Sequence, residues 1–501
     1  MNADFEELTA RLAEHSDLQA AIAVLRWDQA TYMPGGGSAA RGRQLATLAR
    51  LAHDRLTDPA LARLLDRLAP AAEREGEGSF AARLVRVARQ DVDRATKVPA
   101  TFVSAFANHC AELYARWTQA RPANDFGAVA ALLARSVEMS REYAGYFAPC
   151  EHVADPLIDL ADPGMRASSV RALFAELRGE LVPLVEAIAR AAPADDRCLR
   201  QEFAEPDQLA FGLEVAARFG YDLARGRQDK TAHPFSTKFS RGDVRITTRV
   251  RTDHLSEALF ITLHEAGHAI YEQNIDPAFE ATPLADGTSL GVHESQSRLW
   301  ENLVGRGLPF WKGQYPRLQA AFPAQLGGVP LDAFYRAINR VERSPIRAGS
   351  DEVTYSLHVI MRFDFELELL EGKLAVADLP EAWRERSRTD LGVAPATDAD
   401  GCLQDVHWFD GHVGGAFQSY ALGNLIGAQL FEAALRAHPE IPQEIEAGRF
   451  DTLRGWLAAN VHVHGRARSA DEILLGATGR PLSPAPYLGY LRTKYGALYG
   501  L

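Results

Sequence analysis

Apolar residues recur at intervals of three and four along most of the chain, the spacing that gathers them on one face of an α-helix. In Ser168 to Arg190, the residues Val170, Leu173, Phe174, Leu177, Leu181, Leu184, Val185 and Ile188 form one such stripe, with Pro183 placed to kink the helix. The same period predicts helices over 5–27, 38–53, 59–68, 78–120 with a break near Pro99, and 125–148. Turn-forming clusters at Pro34 to Gly37, Arg121 to Gly127 and Ala192 to Asp196 separate them. The pattern returns over 314–322, 331–342, 349–372, 378–391, 415–437, 449–460 and near the C-terminus. No internal repeat or low-complexity linker interrupts it, so a single domain spanning 1–501 is expected.

One stretch changes period. Val244, Ile246, Thr248 and Val250 alternate with Arg245, Thr247 and Arg249, and a Gly242-Asp243 turn follows Phe235 to Phe239, which together predict a β-hairpin. An edge strand there could take an extended peptide by main-chain pairing. A small sheet that merely caps the core is the plainer alternative.

Just downstream, Leu255 to Tyr271 is apolar on nearly every face, which marks a helix buried all round. It nevertheless carries His264, Glu265 and His268 in a His-Glu-x-x-His pattern. Burying those three groups costs roughly several kcal/mol unless they are paired or coordinated. A four-residue step is about 400° of helical rotation, so the two imidazoles stack on one face, with Glu265 about 100° away. That arrangement suits a zinc peptidase, in which two histidines hold the ion and the carboxylate takes the proton of a metal-activated water. The bland alternative is two hydrogen-bonded core histidines and a salt-bridged glutamate.

A catalytic zinc usually has three protein ligands. The metzincin pattern is excluded, because Asn274 and Tyr271 occupy the positions of its third histidine and its glycine. Glu294, in His293-Glu-Ser-Gln296, follows a turn at Pro283, Asp286 and Gly287 long enough to bring a second helix back, and is the expected third ligand. Glu272 is placed to act as an outer acceptor and Glu301 lies deeper; a salt bridge is the ordinary role for both.

Composition narrows the partners. The 501 residues are 47% hydrophobic and 24% charged with net charge −12, and no Lys/Arg-rich block is present, which argues against nucleic acid. No apolar run approaches a membrane span and the N-terminus lacks signal-peptide character, so neither membrane nor export is expected. Cys110, Cys150, Cys198 and Cys402 are scattered without a Cys-x-x-Cys, which fits reduced thiols in the cytoplasm. Two loops are dense in chemistry. Ile346 to Glu352 puts the Arg347 guanidinium near an expected helix start, where a fixed fork can bind a carboxylate, a salt bridge to Asp351 or Glu352 being the alternative. Gly401 to Trp408 crowds Gln404, Asp405 and His407 together, with Tyr420 following.

In this order the motifs resemble the carboxypeptidase Taq family of metallocarboxypeptidases. The resemblance rests on His264-Glu265-x-x-His268, His293 to Gln296, Asp243-x-Arg245-x-Thr247 and Gly401-x-x-Gln404-Asp405-x-His407-Trp408, and runs from Trp27 to Tyr495. Two positions depart from it: Ser350 replaces the alanine of Ile-Arg-x-x-Ala-Asp, and Gly414-Gly-Ala-Phe-Gln-Ser-Tyr420 replaces a run that carries a further aromatic. The resemblance implies a mainly α, two-lobed body with a deep central groove, similar to neurolysin and angiotensin-converting enzyme. It also implies a homodimer, and a zinc or cobalt enzyme that removes single residues from peptide C-termini.

The resulting expectation is an N-terminal helical part over about 1–200, a metal-site part over about 201–501, and one divalent ion on His264, His268 and Glu294. Glu265 is the general base, and Tyr420 or His407 helps hold the oxyanion. Arg347, with the loop from Gln404 to His407, captures the free C-terminal carboxylate of a peptide, Arg245 being a second candidate. An endopeptidase or dipeptidase on the same site, and a non-catalytic helical scaffold, are the rivals.

Overall fold

Prolines and short polar side chains set where the helices begin and end. The computed structural model describes residues 2–501, and among these it has 21 α-helices and one three-stranded sheet. Pro99 divides Phe80–Lys97 from Ala100–Ala123, because its ring cannot continue the first helix but fits the entry to the second. The long predicted stripe lies on Ala167–Arg190, where Val170, Phe174, Leu177, Leu181, Val185 and Ile188 are buried and Leu173 and Leu184 only partly so.

The helix predicted from 349 begins only at Tyr355. The Asp351 carboxylate accepts from the backbone N–H groups of Val353 and Thr354 and from the Thr354 hydroxyl, a local competitor that holds the preceding chain out of helical geometry. Arg347 therefore lies in irregular chain well ahead of the helix, not at its start.

Residues 235–250 form the predicted hairpin, with an addition. Strand β2 (Ser236–Ser240) pairs antiparallel with β3 (Asp243–Thr248), and β1 (Gln228–Lys230) pairs with β3 in parallel, giving the order β1-β3-β2. The strand with the clearest alternation is thus central, and β2 is at an edge. A register shift between Lys238 and Ser240 places a bulge in β2, a device that re-aims side chains. Gln-Asp-Lys in β1 is too short and polar for periodicity to reveal.

Three helices build the interior around the motifs. Leu255–Gln273 carries the two histidines, Leu290–Arg298 carries Glu294, and Gln418–Ala437 packs on the far side of the second. Gly267 and Gly423 permit this close packing. A Cβ at Gly267 would stand 2.6 Å from the Gln296 carbonyl oxygen, and one at Gly423 would stand 2.5 Å from Glu294 Cγ. The buried carboxylate of Asp162 accepts from the Gly291 N–H and from the side chains of Gln418 and Ser419, tying the helix start to its neighbour. Negative charge at that end also complements the helix dipole.

Beyond Arg298 the chain continues as a π-helical stretch, Leu299–Val304, in which the Gly305 N–H reaches the Trp300 carbonyl at 2.9 Å. Such stretches are rare and concentrate at functional sites.

Gly267→Ala should lower stability by about 1–3 kcal/mol, the usual range for overpacking, because the added methyl meets backbone that cannot rotate away. Thermal melting together with metal content would show a reduced Tm and a smaller bound-metal fraction.

Candidate metal centre

His264 and His268 stack on one face of their helix because they are four residues apart, and Glu294 comes to meet them from the neighbouring helix. Glu294 Oε2 lies 3.6 Å from His264 Nε2 and 3.4 Å from His268 Nε2. All three donor atoms fall within 4.8 Å of one another. The other ring nitrogens are already engaged: His264 Nδ1 donates to Glu301 Oε2 at 2.9 Å, and His268 Nδ1 lies 2.6 Å from His293 Nδ1. That leaves both Nε2 atoms turned toward the Glu294 oxygen. Two neutral nitrogens and one anionic oxygen, with outer hydrogen bonds fixing the rings, form a donor set that fits a divalent ion.

The surroundings hold Glu294 and His268 in ligating form. Burial works against ionisation of Glu294, but Arg298, whose Nε donates to Oε1 at 2.7 Å, and the two histidines outweigh it and hold the carboxyl far below its usual range. Burial holds His268 down at about 4, so it is neutral at physiological pH. Burial also opposes protonation of His264, but Glu294 and Glu301 reverse the balance and raise it. Glu265 behaves differently from the other carboxylates. Burial, reinforced by Glu294 and Glu301, lifts it to about 7 against the opposing pull of His264.

Both outer carboxylates are salt-bridged, as expected, and Glu301 rather than Glu272 reaches one of the two donor rings. Glu301 contacts His264 directly, and Arg298 and Arg306 at 3.3 and 3.8 Å balance its charge. Glu272 touches none of the three donor residues; it accepts from His293 Nε2 at 2.8 Å and from Lys238 Nζ at 2.7 Å. The π-helical stretch alters the phase of the helix after Arg298, which α-helical counting does not capture.

A second cluster forms around Asp405. Its Oδ1 accepts from Arg347 Nε and Nη2 at 2.9 and 2.7 Å, and its Oδ2 from the fully buried Arg362 at 2.6 Å. Arg347 is thus paired with Asp405; Asp351 is spent on its own loop, and Glu352 on Lys494 and Tyr495. Gln404 is occupied as well, its Oε1 accepting the Arg347 backbone N–H at 2.8 Å and its amide donating to the carbonyls of Pro345, Asp400 and Gly401. His407 Nε2 lies 3.0 Å from the Tyr420 hydroxyl, and burial, aided by Arg347, holds the imidazole neutral at about 4. Phe417 packs against His407 at 4.5 Å between ring centroids, so the atypical 409–419 loop supplies an aromatic face of its own.

Arg347 also donates to the Tyr355 hydroxyl at 3.2 Å, and the Arg298 guanidinium stacks 4.3 Å above the Tyr355 ring. Arg298 in turn holds Glu294, so the two clusters form one network. Arg245 stands apart from these contacts. It forms a two-pronged pair with Asp243 at 2.8 and 2.7 Å, and its guanidinium carbon lies 4.3 and 4.8 Å from the ring centroids of Trp27 and Phe239.

The sequence reading did not assign roles to His293, Arg298, Tyr355, Arg362 or Lys238. Arg298 carries a usable signal, since it lies one helical turn from Glu294; Tyr355 and Arg362 are distant in sequence from the groups they contact.

A family model described as carboxypeptidase Taq (M32) metallopeptidase matches residues 7–495. Thermostable carboxypeptidase 1 of Thermus thermophilus is 41% identical, the alignment covering 99% of this chain and 98% of that protein. Carboxypeptidase 1 of Bacillus subtilis is 36% identical over 99% of this chain and 98% of its own length. The solved structure of the M32 carboxypeptidase from Deinococcus radiodurans R1 is 47% identical and superposes with a TM-score of 0.97, covering 100% of both chains.

Glu301→Gln should weaken divalent-metal binding about 10–100-fold, because the His264 ring loses its charged acceptor. Competition against a chelator of known affinity measures this directly.

Proposed function

We propose a division of labour among these residues from the premise that the chain belongs to the carboxypeptidase Taq (M32) metallopeptidase family and is a metal-dependent carboxypeptidase. The ion is held by His264, His268 and Glu294. Two imidazoles and one carboxylate are a set zinc commonly uses in peptidases, with cobalt as the alternative occupant. When bound, such an ion acidifies water and stabilises negative charge developing on a carbonyl oxygen.

Glu265 is the general base, and the observation that carries this is its burial beside the donor set with an affinity for protons near neutrality, about 7. A base with that value takes a proton readily and can return it to the leaving amine. Tyr420, hydrogen-bonded to His407, faces the growing oxyanion, a contribution of roughly 2–4 kcal/mol. Neutral His407 fixes that hydroxyl.

Arg347 receives the terminal carboxylate of the peptide. Asp405 and Tyr355 hold its planar fork in place, and Gln404 holds its backbone, so we assign Gln404 to positioning the fork. Arg245, the second candidate for that carboxylate, is committed to Asp243, and we assign it to joining the sheet to the N-terminal helix. A positive fork at a closed end selects chain termini, which accounts for removal of single residues. An endopeptidase, dipeptidase or scaffold reading is not favoured, since the relatives are carboxypeptidases.

The reading extends to a two-lobed body resembling neurolysin and angiotensin-converting enzyme, with parts of about 1–200 and 201–501 facing across a groove. In support, a cavity of about 580 Å³ is lined by His15, Gln19 and Asp91 on one side and by Lys238, Phe239 and Arg466 on the other. It further includes a cytoplasmic homodimer. Free thiols at all four cysteines support the compartment, and the family resemblance supports the dimer. Among the described residues, no helix is long and apolar enough to cross a membrane.

Peptides with a free C-terminus should lose single amino acids in a chelator-sensitive reaction, and C-terminally amidated peptides should be cleaved at a small fraction of that rate; equal cleavage of both would refute the assignment. Glu265→Gln should keep its metal and lose about 10²–10⁴ in kcat, the span typical of general-base removal. Activity should fall with acidity as Glu265 is protonated, the kcat/KM midpoint lying below about 7 because the nearby cation favours the ionised form. A pH–rate profile locates it. Arg347→Met should cost about 2–5 kcal/mol in kcat/KM on free-carboxylate peptides and leave the slow amidated reaction nearly unchanged.

A further inference from the structure

We infer that Lys238, on the edge strand β2, is a positioning residue for the metal ligand His268, acting through Glu272 and His293. The inference rests on the assignment of His268 as a ligand and deepens it. Three contacts in series carry it, each limiting the next.

The Lys238 ammonium has three N–H groups and three acceptors: Glu272 Oε2 at 2.7 Å, Asp286 Oδ1 at 2.7 Å and the Ala285 carbonyl oxygen at 2.5 Å. Such saturation fixes the ammonium, and with it one oxygen of the buried Glu272. The other oxygen, Oε1, is left to His293 Nε2 at 2.8 Å. An ionised carboxylate only accepts, so His293 must carry its proton on Nε2. Its Nδ1 is then a lone pair, and the 2.6 Å contact to His268 Nδ1 requires the proton of that pair to sit on His268. The consequence is one tautomer of His268, with Nε2 bare and turned to Glu294. The His268 and His293 rings lie 4.6 Å apart between centroids with 38° between their planes, so the chain sets ring orientation as well as tautomer.

The two ligating histidines are therefore supported differently. At its outer nitrogen, Nδ1, His264 has a carboxylate in direct contact, whereas His268 has one only through an intervening imidazole. Lys238 borders the bulge in β2, and that strand is paired on one side only. Lys238 and Asp286 also line the 580 Å³ cavity between the N-terminal helices and the sheet. A displacement of β2 moves Lys238 and is passed along the series to the metal ligand. A salt bridge that served only to pin β2 to its helix would have no such effect on the metal.

The experiment uses the full-length protein loaded with zinc or cobalt, comparing Lys238→Met, Lys238→Arg, His293→Phe and the double variant Lys238→Met/His293→Phe. Three quantities are measured: the rate of metal loss to excess chelator, the visible spectrum of the cobalt form, and the Tm of the metal-free protein. Lys238→Met and His293→Phe are each expected to speed metal loss about 10–100-fold and to alter the cobalt spectrum. The double variant should be no faster than the worse single one, because both cut the same series, and Lys238→Arg should restore most of the retention. Wild-type metal loss and spectrum in Lys238→Met, or fully additive effects in the double variant, would overturn the inference. Should Lys238→Met lower the metal-free Tm so far that it does not fold, Glu272→Gln carries the same expectation and the same refutation. A wild-type protein that binds no ion, or a His268→Ala variant that retains it, would refute the ligand assignment itself and so be distinguished from failure of the series.

Discussion

The Glu294 carboxylate lies buried between two imidazoles and a guanidinium, and most of the site's construction answers the cost of removing that charge from water. An isolated carboxylate in such surroundings would take up a proton. Arg298 prevents it, and once ionised Glu294 requires donors or a cation on its other oxygen. The histidines turn their Nε2 atoms to that oxygen, so with neutral rings the site would offer three electron-rich atoms to a cation. The packing follows from the same demand. Helices bearing glycine at 267 and 423 come close enough to exclude water and to make the charge expensive to leave unpaired.

Charge is balanced in two connected compartments. One has Glu294 and Glu301 against Arg298 and Arg306; the other has Asp405 between Arg347 and Arg362. The Tyr355 ring lies between them, stacked under Arg298 and hydrogen-bonded from its hydroxyl to Arg347. A carboxylate arriving at Arg347 would share that guanidinium with Asp405, and Arg362 remains as a permanent counter-charge for Asp405. That fully buried second arginine would let the first serve an incoming anion without leaving a bare negative charge behind.

How much of this was legible in the sequence depended on whether the relation was local. His264 and His268 could be paired by counting, because a four-residue step fixes their side of the helix, and Glu294 by its place after a turn. The helical periods gave most of the long elements, and the hairpin appeared because its alternation is strict. What failed involved either unusual backbone or distant partners. Asp351 delays a helix through hydrogen bonds that the apolar pattern does not register. Strand β1 has no apolar alternation to detect. The contact of Glu301 with His264 was missed because Glu301 follows a change of winding. Nothing in the local sequence marks Arg362; only the fold reveals that it faces Asp405.

The winding at Leu299–Val304 has a consequence for how this chain can vary. A π-helical turn accommodates one residue more than an α-turn across the same span, so Glu301 faces His264 through an extra residue in the count. Removing a single residue from that stretch would let it relax to regular winding with the chain on either side left in place, and would turn the residues within it, Glu301 among them, by up to about 100°. Length there is consequently as constrained as identity, and a chain that lost one residue while keeping every other side chain would still misplace the acceptor of His264.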